Sequence, residues 1–85
     1  MSKKTQLNKN IDLSTKLADF IVKHPEKVKN IPSGSTYVVI SAKDSDLNHM
    51  NNALIKNMVS KGKKVVKAIE KKTDRNTWDL QFVSP

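Results

Sequence analysis

Ser45–Lys61, SDLNHMNNALIKNMVSK, lies between a run of β-branched residues and a run of lysines. At 3.6 residues per turn it sets Leu47, Met50, Leu54, Ile55, Met58 and Val59 on one stripe, which predicts an amphipathic helix. Asp44 or Ser45 can cap its free amides, and Asp46 suits its first turn. Gly62 is the expected residue beyond the last turn, where Lys61, Lys63 and Lys64 complement the negative helix end. One residue breaks the pattern. Asn51 stands in the middle of the apolar stripe, where a buried amide without partners costs about 1–3 kcal/mol.

The flanks of this helix decide the fold. Thr36–Ser41, TYVVIS, reads as a strand buried on both faces, or on one face with an edge that pairs. Val65–Lys71, VVKAIEK, reads as a second strand. A strand, a helix and a strand in this order predict parallel pairing with a right-handed crossover. Lys72–Asn76 is a polar turn. Thr77–Val83 alternates cleanly, with Trp78, Leu80 and Phe82 on one face and Thr77, Asp79 and Gln81 on the other, as an antiparallel strand should.

Upstream, Leu13, Leu17, Phe20, Ile21 and His24 recur at helical spacing from about Asn10, with Asn10 or Asp12 as cap. Pro25 interrupts this helix and begins a further short turn, with Val28 and Ile31 inward. Pro32, Ser33 and Gly34 turn the chain. Residues 1–9 read as a flexible basic segment, and residues 10–85 as one small domain. The fold class expected is α/β, with α+β as the alternative: helix, strand, helix, strand, strand, in two layers. Both helices then cover one face of a small mixed sheet.

Asn10 with Leu13 and Ser14, the HPE of His24–Glu26, the IP of Ile31 and Pro32, the strand YVVI, the spacing from Asp44 to Asn51 and Gly62 before VV together form a pattern. It resembles a family of short prokaryotic proteins of unknown function. The likeness covers roughly Asn10 to Glu70 and leaves out the strand with Trp78. It implies the same small α/β architecture and brings no activity.

The 85 residues carry a net charge of +8, and only 36% are apolar, so the core must be concentrated in a few segments. Sixteen basic residues favour polyanion partners, yet fifteen are lysine and Arg75 is the single arginine, the side chain that reads phosphate and guanine bidentately. Lys61, Lys63, Lys64, Lys67, Lys71, Lys72 and Arg75 are the candidates for non-specific contact with an RNA or DNA backbone. A solvated lysine surface is the plainer reading. Platforms for single-stranded nucleic acid stack bases on exposed aromatics, and Phe20, Trp78 and Phe82 read as internal.

Without cysteine there is no disulfide framework and no thiolate metal site. No apolar run reaches the ~18 residues needed to span a bilayer, and no apolar segment follows the first lysines, so a cytoplasmic protein is expected. His24 reads as a structural imidazole beside the break at Pro25, and His49 as solvated. Neither belongs to a ligand cluster or a catalytic triad, so no metal, no cofactor and no enzymatic activity are expected.

Two places remain for function. The crevice at the carboxyl end of the first strand is where βαβ units bind ligands, and Ser41, Lys43, Asp44, Ser45, Asn48 and Asn51 gather around it. No glycine lets that loop wrap a phosphate, and Asn51 reads first as a buried amide that satisfies loop or strand backbone groups and so ties the loop to the helix. The other place is Tyr37, Val38, Val39 and Ile40, the most apolar strand, set at a sheet edge. Such edges aggregate unless covered or paired. A two-fold homodimer would join two of them; insertion of the last strand, or cover by the N-terminal segment, would also serve. The function expected is a domain acting through protein contacts, its own copy included.

Overall fold

The computed structural model describes residues 2–73 and 77–83. Its elements are α1 (Lys3–Lys23), a single 3₁₀ turn (Pro25–Lys27), β1 (Thr36–Ile40), α2 (Ser45–Ser60), β2 (Val65–Glu70) and β3 (Trp78–Val83). Helix, strand, helix, strand, strand is the order expected, and the α/β class stands. The three strands lie in the order β1-β2-β3. β1 runs parallel to β2, with Val39 beside Ala68, and β2 runs antiparallel to β3, with Ala68 beside Leu80.

α1 begins well ahead of Asn10. Ser2 caps it by accepting a hydrogen bond from the Thr5 amide at 3.1 Å, so the supposed basic tail forms the first turns of a helix. The residues from Lys3 to Lys9 include no glycine or proline to oppose this. Asn10 is no cap; it points inward from the helix. The other end follows expectation: His24, at φ −132° and ψ 63°, leaves helical geometry just before Pro25.

α2 is capped by Asp44, whose Oδ1 accepts from the Leu47 amide at 3.0 Å. It ends in a Schellman motif. Gly62 takes φ +76°, its amide donates to the Val59 carbonyl at 2.9 Å, and the Lys63 amide donates to Met58 at 3.0 Å.

The layers differ from expectation. The two helices lie on opposite faces, so the domain has three layers. Leu17 and Phe20 of α1 pack with Val39, Ala68 and Trp78. Ile55 of α2 packs with Val38, Ile40 and Val65. Consecutive strand residues point to opposite faces, and Val38 and Val39 are both buried, as are Val65 and Val66. Such a pair needs cover above and below. The crossover places α2 on one side, and only α1 is left for the other. Lys67 therefore lies on the α2 side, half-buried beside Gln81, rather than on a bare sheet face. Phe82, expected inside, is 43% exposed. None of the helices among the described residues is long and apolar enough to cross a membrane.

Candidate functional site

The edge of β1 is where the two helices meet. The Thr36 amide donates to the Lys64 carbonyl at 2.9 Å, so the backbone groups of Thr36, Val38 and Ile40 face β2. By alternation those of Tyr37, Val39 and Ser41 face outward. The outward groups near the carboxyl end are met by side-chain amides of α2. Asn48 Oδ1 accepts from the Ser41 amide at 2.7 Å, and its Nδ2 donates to the Ser41 carbonyl at 2.9 Å. A side chain thus takes the place of a neighbouring strand.

Asn51 continues the seal one turn along. Its Nδ2 donates to the Val39 carbonyl at 2.9 Å and to Asn10 Oδ1 at 2.8 Å. Its Oδ1 accepts from Gln6 Nε2 at 3.0 Å and from Asn10 Nδ2 at 3.2 Å. Both donors and both lone pairs of the amide are engaged, and the residue is 0% exposed. The amide in the greasy stripe joins α1, α2 and the edge of β1. Of the two kinds of backbone group expected for it, Asn51 meets the strand, at Val39, while Asn48 ties the loop at Ser41.

This seal divides the edge expected to self-associate. Val38 and Ile40 direct their backbone toward β2, and the Val39 carbonyl is taken. Pairing with a second strand along the whole of Tyr37–Ile40 is blocked.

The expected crevice exists in part. Ser41, Lys43 and Asp44 line a cavity of about 210 Å³ with Lys9, Asp12 and Leu13. Ser45 is exposed, and Asn48 and Asn51 are occupied as described. Ser41 Oγ accepts from the Lys43 and Asp44 amides, both at 3.2 Å. Asp44 Oδ2 holds Lys9 Nζ at 2.6 Å. The hydrogen bond from Lys9, then that from the Leu47 amide, keeps the Asp44 carboxyl below its usual range. The positive end of α2 is thus met by a carboxylate of the chain itself, a poor arrangement for an incoming anion.

The sign of the Asp44 shift sets a pH dependence. A depressed folded pKa stabilises the fold above the ordinary carboxylate value of about 4. That contribution is lost as pH falls through the folded value. Urea midpoints should therefore fall between pH 5 and pH 2.5 by less in Asp44→Asn, which still caps α2, than in the wild type. Equal falls would show the Lys9 contact to be idle.

Glu70 was not foreseen as part of this end of the sheet. It is buried at the close of β2, and its Oε1 accepts from the Ala42 amide at 2.9 Å. An acid closing an apolar strand was the only signal. Trp78, its neighbour on β3, is buried with Nε1 unpartnered among the described residues.

The amino half of the β1 edge stays open. A cleft of about 110 Å³ lies there between α1 and α2, lined by Asn10, Ser14, Tyr37, Leu54 and Met58 among others. It adjoins a concavity along Leu7, Ile11 and Ala18 of α1, with which it shares Asn10 and Ser14. On its other side, a hollow beside Met50 and Ala53 of α2 shares Leu54. Leu7, Ile11 and Leu54 are 59%, 54% and 41% exposed. Leu7 and Ile11 line the concavity on α1, and Leu54 lines the cleft that adjoins it. Sequence reasoning placed Leu7 in a tail and Leu54 in the core, so the convergence was invisible to it.

A family model matches residues 5–77. The chain belongs to DUF5647, a family of unknown function. No curated protein and no solved structure matches it. The DUF5647 match takes in nearly all of α1, both parallel strands and α2, hence every wall of the groove and all the amides of the seal. It stops one residue short of β3.

The remaining candidates disperse. Lys61, Lys63 and Lys64 precede β2, while Lys71 and Lys72 follow it, with a strand of roughly 20 Å between. Lys67 lies between them on the α2 side. Arg75 is outside the described residues. His24 is exposed and its ring packs on Phe20 at 4.8 Å; His49 is exposed on α2.

Proposed function

We propose that this domain is a non-enzymatic protein-binding module whose receiving surface is the groove between α1 and α2 over the amino half of β1. The observation that carries this reading is the gathering of Leu7, Ile11 and Leu54. Single exposed apolar residues are ordinary on any surface, whereas a group of them along adjoining hollows is the feature that marks an interaction site. Leu7 and Ile11 are one turn apart on α1, and Leu54 of α2 lines the adjoining cleft, a layout suited to the apolar stripe of a partner helix. Lys3 and Lys4 stand one turn before Leu7, so the fitting partner carries acids beside that stripe.

The division of the lysines between the two ends of β2 weighs against the alternative, non-specific contact with a nucleic-acid backbone, because phosphate tracking needs a continuous basic path.

The reading is tested with a synthetic helical peptide carrying leucines at i, i+3, i+4 and i+7 and glutamates elsewhere. Fluorescence anisotropy should give a dissociation constant on the order of 10 µM, weakened about tenfold or more by Leu54→Lys or Ile11→Lys. Both positions are exposed, so the thermal midpoint should hold. Absence of binding at 0.5 mM peptide, roughly fifty times that constant, or binding indifferent to both substitutions, would remove this function.

A further inference from the structure

β3 has an outer edge of its own. The Lys71 amide donates to the Thr77 carbonyl at 3.1 Å, so Thr77, Asp79, Gln81 and Val83 direct their backbone toward β2. The N–H and C=O groups of Trp78, Leu80 and Phe82 point away from the sheet. Among the described residues no backbone or side-chain group bonds to Leu80 or Phe82 on that side. At the far edge of the sheet Asn48 and Asn51 provide such a seal. Here the described residues provide none, and Phe82 stands 43% exposed beside these groups.

We infer that β3 pairs with β3 of a second copy of this chain, antiparallel about a two-fold axis through Leu80, to make a continuous six-stranded sheet. The sequence of the strand, WDLQFV, is self-complementary in this register. Leu80 meets the partner's Leu80, and Phe82 meets the partner's Trp78 on the face covered by α1. Asp79 meets the partner's Gln81 on the other face. No like charges stand opposite each other. In a chain of net charge +8, this segment carries no lysine and one aspartate, so two copies repel little across it. Both residues of each outward pair exchange two backbone bonds, giving about six across the axis. The pairing also hides an edge that would otherwise invite aggregation. It is independent of the groove, which lies at β1.

The edge contact is small, so the expected dissociation constant is on the order of 10–100 µM. Sedimentation equilibrium from ~5 µM to ~1 mM reads it directly. Phe82→Lys should leave a monomer throughout, with an unchanged far-ultraviolet circular dichroism spectrum.

The register is read from Gln81, which is exposed. Gln81→Lys places a lysine opposite the partner's Asp79 twice per dimer and should tighten association roughly fivefold at low salt. Gln81→Asp places like charges there and should loosen it by a similar factor. Net charge alone predicts the reverse order, since lysine raises the charge of each copy and aspartate lowers it. Leu54→Lys, in the groove, should leave the dimer as it is. A wild-type monomer at 1 mM, a dimer that survives Phe82→Lys, or the reverse order at Gln81 would each overturn the inference.

Discussion

Asn51→Leu should cost the fold about 3 kcal/mol, although it puts an apolar residue into an apolar stripe. Leucine has the same branched outline, though its methyl groups are bulkier than the amide, and it suits a helix better than asparagine. What it cannot do is donate to the Val39 carbonyl, which faces outward from β1 and is reached by no other described donor. A buried carbonyl left unmet costs about 1–3 kcal/mol. Asn10 and Gln6 also lose their common partner, and α1 loses its polar tie to α2. For a domain of this size a loss of 3 kcal/mol lowers the thermal midpoint by about 12–24 °C. Chemical denaturation of Asn51→Leu and of Asn10→Leu/Asn51→Leu measures it. The double variant should recover part of the loss, because an apolar pair leaves fewer amides unmet than one leucine against an asparagine. A single variant as stable as the wild type would mean that Asn51 is no structural centre, and the seal on β1 would have to be ascribed elsewhere.

The second large effect is expected at Phe20→Ala, about 3–5 kcal/mol. Phe20 is buried in the cluster with Leu17, Val39, Ala68 and Trp78. Below it the sheet offers Ala68, whose methyl group cannot grow into the vacated space, and Trp78 is fixed by its strand. Stability of about 0.05–0.15 kcal/mol per residue leaves an 85-residue domain little to lose, so this variant should be largely unfolded near 40 °C. The fluorescence of Trp78, the single tryptophan, should follow the loss. Ile55→Ala, on the opposite face, should cost less, about 2–4 kcal/mol, because half-buried Met58 and Val59 can shift toward the gap. If Phe20→Ala unfolded no more readily than an exposed α1 substitution such as Val22→Ala, α1 would not be a true third layer.

How far the residues disclosed the fold can be followed element by element. The strand TYVVI, the caps Asp44 and Gly62, the break at His24–Pro25 and the alternation of WDLQFV are local features, and each sits where its local physics put it. A β-branched run, a carboxylate ahead of free amides and a glycine at positive φ work through neighbours within a few residues, so a single sequence displays them. The start of α1 was misplaced for a related reason. Ser2 is a good cap, but Lys3–Lys9 shows no buried stripe of its own; its inward partners, Asn51 and Asp44, lie more than thirty residues away.

The candidate site was legible only in outline. The crevice lining of Ser41, Lys43 and Asp44 follows from a βαβ unit, and its position was foreseen. That Asn51 is buried against loop or strand backbone was legible, but its choice of the Val39 carbonyl and the closing of the edge by Asn48 were not, because an amide facing a strand edge and an amide facing a loop leave the same trace in a helix. Leu7 and Leu54 were assigned to a tail and to a core for want of the packing that brings the cavities they line next to each other.

By itself, the order of residues determined the element types, their ends except the start of α1, and the parallel pairing that a strand–helix–strand unit imposes. The side of the sheet taken by each helix and the edge that side-chain amides seal were decided only by the assembled chain. Those choices rest on contacts between segments far apart in sequence, whose free energy exists once both are in place and leaves no periodicity in either.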